Sequence, residues 1–144
     1  MRLLSTLTAL ALVAAVFTGC TKAAKTTTGH FLSATSSTGA TVSATGSQVT
    51  CGGATGAKIT IYGEPSSGGR FLVILNPYIG TTGTFAIGGD TRCQHTNGSG
   101  ATKVSASGSI TLTSTTPDIV GTFSFTATDG TTYTGSFNSP TPTP

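Results

Sequence analysis

Between the first residues after Cys20 and the last few of the chain, Thr, Val, Ile, Phe and Tyr recur in short alternating runs with small polar side chains, punctuated by glycine. β-branched and aromatic residues fit a pleated, half-buried surface, and glycine-bearing turns join such runs into hairpins. Glu, Lys, Gln and Leu, which favour helix, are rare beyond residue 20. An all-β domain follows, an antiparallel β-sandwich or partly closed barrel of about eight to ten short strands.

Ten strands are expected, near His30–Ala34, Ala40–Ala44, Gln48–Cys51, Lys58–Tyr62, Arg70–Asn76, Gly83–Ile87, Thr91–His95, Lys103–Thr113, Ile119–Ala127 and Thr131–Phe137. Turn chemistry separates several of them: Thr38-Gly39, Glu64 to Gly69, Gly88-Gly89-Asp90, Asn97-Gly98 and Asp129-Gly130. Alternation turns Ile59, Ile61, Phe85, Ile87, Ile110 and Leu112 inward. Phe71 to Leu75 is apolar on both faces, as in a central strand covered on two sides.

The last hairpin permits a sharper deduction. Phe123, Phe125, Tyr133 and Phe137 are all odd-numbered, so sharing one face requires odd residues to pair with odd. A two-residue loop at Asp129-Gly130 would pair 128 with 131 and break that rule. A three-residue loop, Thr128-Asp129-Gly130, pairs 127 with 131 and 125 with 133, with Gly130 left-handed in the bulge.

The N-terminus carries an address. Leu3 to Val16 is apolar but shorter than the roughly 20 residues of a bilayer span. Arg2 precedes it, and Thr18-Gly19-Cys20 closes it with small side chains before a cysteine, the layout of a cleavable leader. The segment resembles a bacterial lipoprotein signal ending in a lipobox, with Phe17 where leucine is commonest. The resemblance implies removal of residues 1–19 and lipidation of Cys20, so that the partner is membrane lipid. Residues 20–29 would then be a flexible tether. The alternative is a plain secretory signal cleaved nearby, with Cys20 lost or left as an odd thiol. Thr21, rather than Asp, after Cys20 implies placement in the outer membrane where the cell has one, and in any case on the periplasmic or outer-surface side of the envelope.

A weaker resemblance covers roughly residues 58 to 137. Gly83-Thr84-Phe85-Ala86-Ile87, Gly108 to Thr113, Gly121 to Phe125 and Tyr133 to Phe137 resemble the strands of a family of uncharacterised β-rich envelope lipoproteins. It implies fold and address, and brings no catalytic residues.

With the leader removed, six Lys and Arg face four Asp and Glu, and the bases Lys22, Lys25, Lys58, Arg70, Arg92 and Lys103 are scattered. No basic stripe with interleaved aromatics suggests nucleic acid. Asn138 to Pro144 (NSPTPTP) reads as a disordered tail and places the β domain at residues 30–137.

Assigning Cys20 to lipid leaves Cys51 and Cys93 as a pair in an exported chain, where a disulfide is expected. It would close a loop of 43 residues and contribute about 4 kcal/mol in the chain-entropy description. Two separate thiols, or a metal site, are the alternatives. For the latter, Cys93 and His95 share one face of a strand, with Asp90 beside them and His30 brought in by folding. No cofactor is implied.

Glu64, Asp90, Asp118 and Asp129 are the acids, and each sits in or beside a turn. With two histidines, no nucleophile, base and acid set stands out, and the expectation is a protein that is not an enzyme. Asn97-Gly98-Ser99 matches a glycosylation acceptor, which a bacterial lipoprotein signal makes irrelevant. Cys51-Gly52-Gly53 and Ser67-Gly68-Gly69 lack the Lys-Ser or Lys-Thr of a phosphate loop and read as turns. The leading reading is therefore a lipid-anchored, noncatalytic β domain with an accessory binding or envelope-interaction role, toward an envelope protein or polysaccharide. A glycan-binding module using Tyr62, Tyr78 and Tyr133 as stacking surfaces is the alternative, and a metal-binding or hydrolytic protein a minor one.

Overall fold

A computed structural model describes residues 29–142. The leader, Cys20 and all but the last residue of the tether lie outside the described residues. All ten expected strands form: β1 (Phe31–Ser36), β2 (Thr41–Thr45), β3 (Val49–Gly53), β4 (Ile59–Gly63), β5 (Arg70–Leu75), β6 (Gly83–Ala86), β7 (Arg92–Thr96), β8 (Thr102–Ser114), β9 (Asp118–Ala127) and β10 (Thr132–Pro140). Among the described residues there is no α-helix, only one 3-10 turn at Gly46–Gln48.

Every pairing is antiparallel, in the order β2-β1-β10-β9-β8-β7-β5-β4-β3. The sheet curls until β3 lies against β10, and β4 against β1 and β2, so it is nearly closed into a barrel. Strand β6 breaks sequence order. It pairs with β8 at residues 109–112, while β7 takes the same edge of β8 at residues 102–104. A bulge between Ser105 and Ser107, followed by Gly108 at φ +134°, bends β8 where it passes from one partner to the other.

The parity rule for the last hairpin holds. Tyr133 pairs with Phe125, the Ala127 N–H donates to the Thr131 carbonyl (2.8 Å), and Gly130 has φ +83°. Phe123, Phe125, Tyr133 and Phe137 all enter one core with Phe71, Leu32, Ile59, Ile61, Ile110 and Leu112. Phe85 and Ile87 are half-buried against it. Strand β5 is buried on both faces, as expected: Phe71, Val73 and Leu75 join the core, and Leu72 and Ile74 are buried outside it. Tyr62 with Gln94, and Thr60 with Arg92, are their cross-strand neighbours.

Two inward glycines explain how four aromatic rings share one hairpin. Gly135 pairs with Phe123 and Gly121 with Phe137, so each ring covers a backbone that carries no side chain.

The tail begins later than expected. Asn138, Ser139 and Pro140 continue β10 opposite Val120, Ile119 and Asp118, and Asn138 and Ser139 are buried. The Pro-rich composition masked this because proline at a strand end costs only one ladder donor.

The loops sort into two poles. Those at 37–40, 64–69, 97–101 and 128–131 gather at one: the Ser37 N–H donates to Thr132 O (2.8 Å), and Gly69 and Gly98 approach across the cleft-side loops. At the other, the Gly56 N–H donates to Tyr78 O (2.7 Å), Thr115 Oγ1 to Gly80 O (3.0 Å), and His30 lies 3.5 Å from Asp118. The chain enters and leaves the barrel at this second pole, since Phe31 pairs with Asn138 and Pro140 with Asp118.

Candidate functional site

The loop pole holds a cleft of about 240 Å³. One wall is Ala40, Thr41 and Val42 at the start of β2. A second comes from Pro65, Ser67 and Gly68 of the β4–β5 loop with Arg70, and a third from His95, Asn97 and Gly98 at the end of β7. These segments meet because β5 and β7 pair with Arg70 opposite Thr96 and Phe71 opposite His95.

His95 forms part of the boundary between cleft and core. Its ring stacks on Phe71 (centroids 5.9 Å apart) and meets Tyr133 edge-on at 5.5 Å, with Nδ1 and the Tyr133 hydroxyl 3.2 Å apart. Burial, and next the charge of Lys103, hold its pKa below the usual imidazole value, so the ring is neutral at pH 7. Burial likewise raises the Tyr133 phenol. Lys103 donates to Asp129 Oδ2 (2.8 Å) and to Thr131 Oγ1 (2.9 Å). That contact brings the Asp129 carboxyl down to about 2, helped by the Thr131 N–H donating to Oδ1 at 3.0 Å.

Asn97 organises its own loop. Its Oδ1 accepts from Ser99 N–H, Ser99 Oγ and Ala101 N–H at 2.8–3.1 Å, which leaves the amide nitrogen as its uncommitted polar end. Among the described residues Arg70 has no ion pair, and no acid lines the cleft.

The expected disulfide does not form. Cys51, Ile61, Val73 and Cys93 occupy one register row across β3, β4, β5 and β7, and both cysteines are unbridged. Three strand spacings of about 4.8 Å separate them along the sheet, whereas a bridge needs Cα atoms about 4.4–6.8 Å apart. Burial pushes the Cys51 thiol up to about 11, against a smaller opposing effect of a hydrogen bond with Ser139, and pushes Cys93 up further.

The weak metal candidates disperse. Cys93 is in the core, His95 faces Tyr133, Asp90 accepts from Asn76 Nδ2 (3.1 Å), and His30 sits beside Asp118 at the opposite pole from His95. Among the described residues no three of His, Cys, Asp and Glu converge. The tyrosines also depart from expectation, because Tyr78 and Tyr133 are buried and Tyr62 is half-buried. Tyr78 and Tyr133 therefore offer no stacking surface, and Tyr62 offers only part of its ring.

Sequence reading singled out His95 but treated Arg70 as one scattered base and Asn97 as a turn residue. The β5–β7 pairing unites them, and no local pattern announces a pairing that skips β6. No protein-family model, curated protein or solved structure matches this chain.

Proposed function

We propose that the chain is a lipid-anchored extracytoplasmic protein, attached through acylated Cys20, whose barrel is a noncatalytic binding domain presenting its loop-pole cleft to the envelope. The sequence order carries the reading: an apolar run from Leu3 to Val16, Thr18-Gly19-Cys20, then a tether leading to a strand that begins at Phe31. The chain enters at the pole opposite the cleft, so an anchored barrel can turn that cleft away from lipid. The eleven residues from Cys20 to His30 reach at most about 40 Å when extended. Such a tether lets the domain stand clear of headgroups, and outer-membrane placement is preferred where the cell has an outer membrane.

A binding rather than a catalytic role fits His95, whose Nδ1 meets a phenol and whose charged neighbour is a cation, not an orienting carboxylate. Cells expressing the chain and fed a labelled fatty acid test the anchor. The wild-type band should carry label and partition with membranes. Cys20→Ala should lose the label and remain at precursor length. An unlabelled wild-type protein released into the soluble fraction refutes the anchor.

A further inference from the structure

We infer that the loop-pole cleft is a binding site for a small carboxylate, of the size of one sugar acid or one amino-acid end. The inference rests on the proposed binding role of this pole and is independent of lipidation. Three observations point to an anionic, acceptor-rich occupant. Arg70 borders the cavity with no ion pair among the described residues, and a guanidinium presents paired N–H donors matched to the two oxygens of a carboxylate. Asn97 has spent its oxygen on its own loop, so its NH₂ remains to donate. His95 meets Tyr133 through Nδ1, which leaves Nε2 as the ring atom without a partner among the described residues, and that atom is an N–H donor in the tautomer in which the Tyr133 hydroxyl donates to Nδ1.

The surroundings reinforce this choice. No acidic side chain lines the cleft, and the positive charge of Lys103 reaches His95. Asp129 is held by Lys103 at 2.8 Å. Val42, Ala40 and Pro65 supply an apolar wall, so the ligand needs a compact carbon body behind its charge, which a bare inorganic anion lacks. A volume of about 240 Å³ corresponds to roughly eight waters at about 30 Å³ each, enough for one ring or one residue.

Saturation-transfer NMR on the full chain in nonionic detergent tests the site with three probes: galacturonate, its neutral methyl ester, and N-acetylalanine. Saturation of either acid, with the ester weaker by about tenfold or more, is the expected result. The acid that binds better identifies a sugar or a peptide end as the source of the carboxylate. Arg70→Gln should weaken the acid by about tenfold, and Arg70→Lys by less, since it keeps the charge but not the fork. Asn97→Asp retains the oxygen that orders the loop and places a negative charge in the cleft, so it should abolish binding in a chain whose circular dichroism is unchanged. Equal binding of ester and acid, no saturation of either acid, or an Arg70→Gln affinity within twofold of wild type overturns the assignment. Repeating the titration on Cys20→Ala separates the two readings: acid binding there without acylation of the wild type refutes the anchor alone.

Discussion

Gly135→Ala should destabilise the barrel, while the same substitution at Gly88 should stabilise it. Neither glycine has a positive φ, so alanine meets no backbone strain at either place. At both, alanine narrows the unfolded ensemble, worth about 0.4–1 kcal/mol in favour of folding. What differs is the space. Nothing lies within 4 Å of a methyl at Gly88, whereas at Gly135 it would collide with the Phe123 ring and the Ser33 carbonyl oxygen. The ring has core neighbours to either side, Phe71 at 5.0 Å and Phe137 at 6.4 Å. The carbonyl belongs to β1, which is held in register against β10 by the Ala34–Gly135 pair. Overpacking of this kind costs about 1–3 kcal/mol, so Gly135→Ala should net up to about 2.5 kcal/mol of destabilisation and, because the unfolded-state gain is common to both, differ from Gly88→Ala by about 1–3 kcal/mol. Urea unfolding followed by circular dichroism, which suits a chain without tryptophan, reads this as a lower midpoint at constant slope. Adding Phe123→Leu should recover less than half of the loss, since the backbone obstruction stays. Equal midpoints for the two alanine variants would refute the proposed role of Gly135 as a seat for the Phe123 ring.

Other outcomes follow from the cysteines and the titrating groups. Thiol counting on unreduced, denatured protein should find both Cys51 and Cys93 reactive, with Cys93 silent until unfolding; an S–S crosslinked peptide joining them in a digest would contradict the register. Acid should weaken the fold in two windows. His95 has a folded pKa below its unfolded value of 6.5, so its contribution is present above about pH 6.5 and fades as pH falls below it. His95→Gln should therefore flatten the melting temperature between pH 7 and pH 5. Asp129 titrates near 2 in the fold against 3.8 unfolded, so its contribution is present above about pH 4 and is lost as pH drops through 2. Asp129→Asn should remove that lower slope, and an unchanged acid profile in either variant would count against the corresponding contact. Tyr133→Phe, which deletes the hydroxyl facing His95 Nδ1, should cost about 0.5–1.5 kcal/mol by the same urea assay.

Side-chain facing and strand order are set by different physics, one local and the other not. Side-chain facing is a local property with period two, so alternation alone puts Phe123, Phe125, Tyr133 and Phe137 on one face and selects a three-residue loop. It also put Cys93 and His95 on one side of β7, and the core burial of Cys93 with the His95–Phe71 stacking agrees. Strand order is a different quantity, set by which edges remain after the loops close. β6 has four residues, and exposed Thr84 and Ala86 flank a half-buried Phe85, so it had little to gain from a place between β5 and β7. It settles beside the second half of β8, beyond the Ser105–Ser107 bulge, and leaves the β5 edge to β7.

That exchange sets the fate of both the cysteines and the cleft. With β7 on β5, Cys93 falls in the same row as Cys51 but three strands away, where a shared face becomes a guarantee of separation. By the same pairing Arg70 stands opposite Thr96, next to Asn97, and His95 stands opposite Phe71, so three polar residues from two separate strands and their turns border one cavity. Neither result could be read from composition or spacing, because each depends on a strand being skipped. The cue available in the sequence was the mismatch in length, a short run at Gly83–Ile87 and, two strands on, a long one at Lys103–Thr113 that can serve two partners along a single edge.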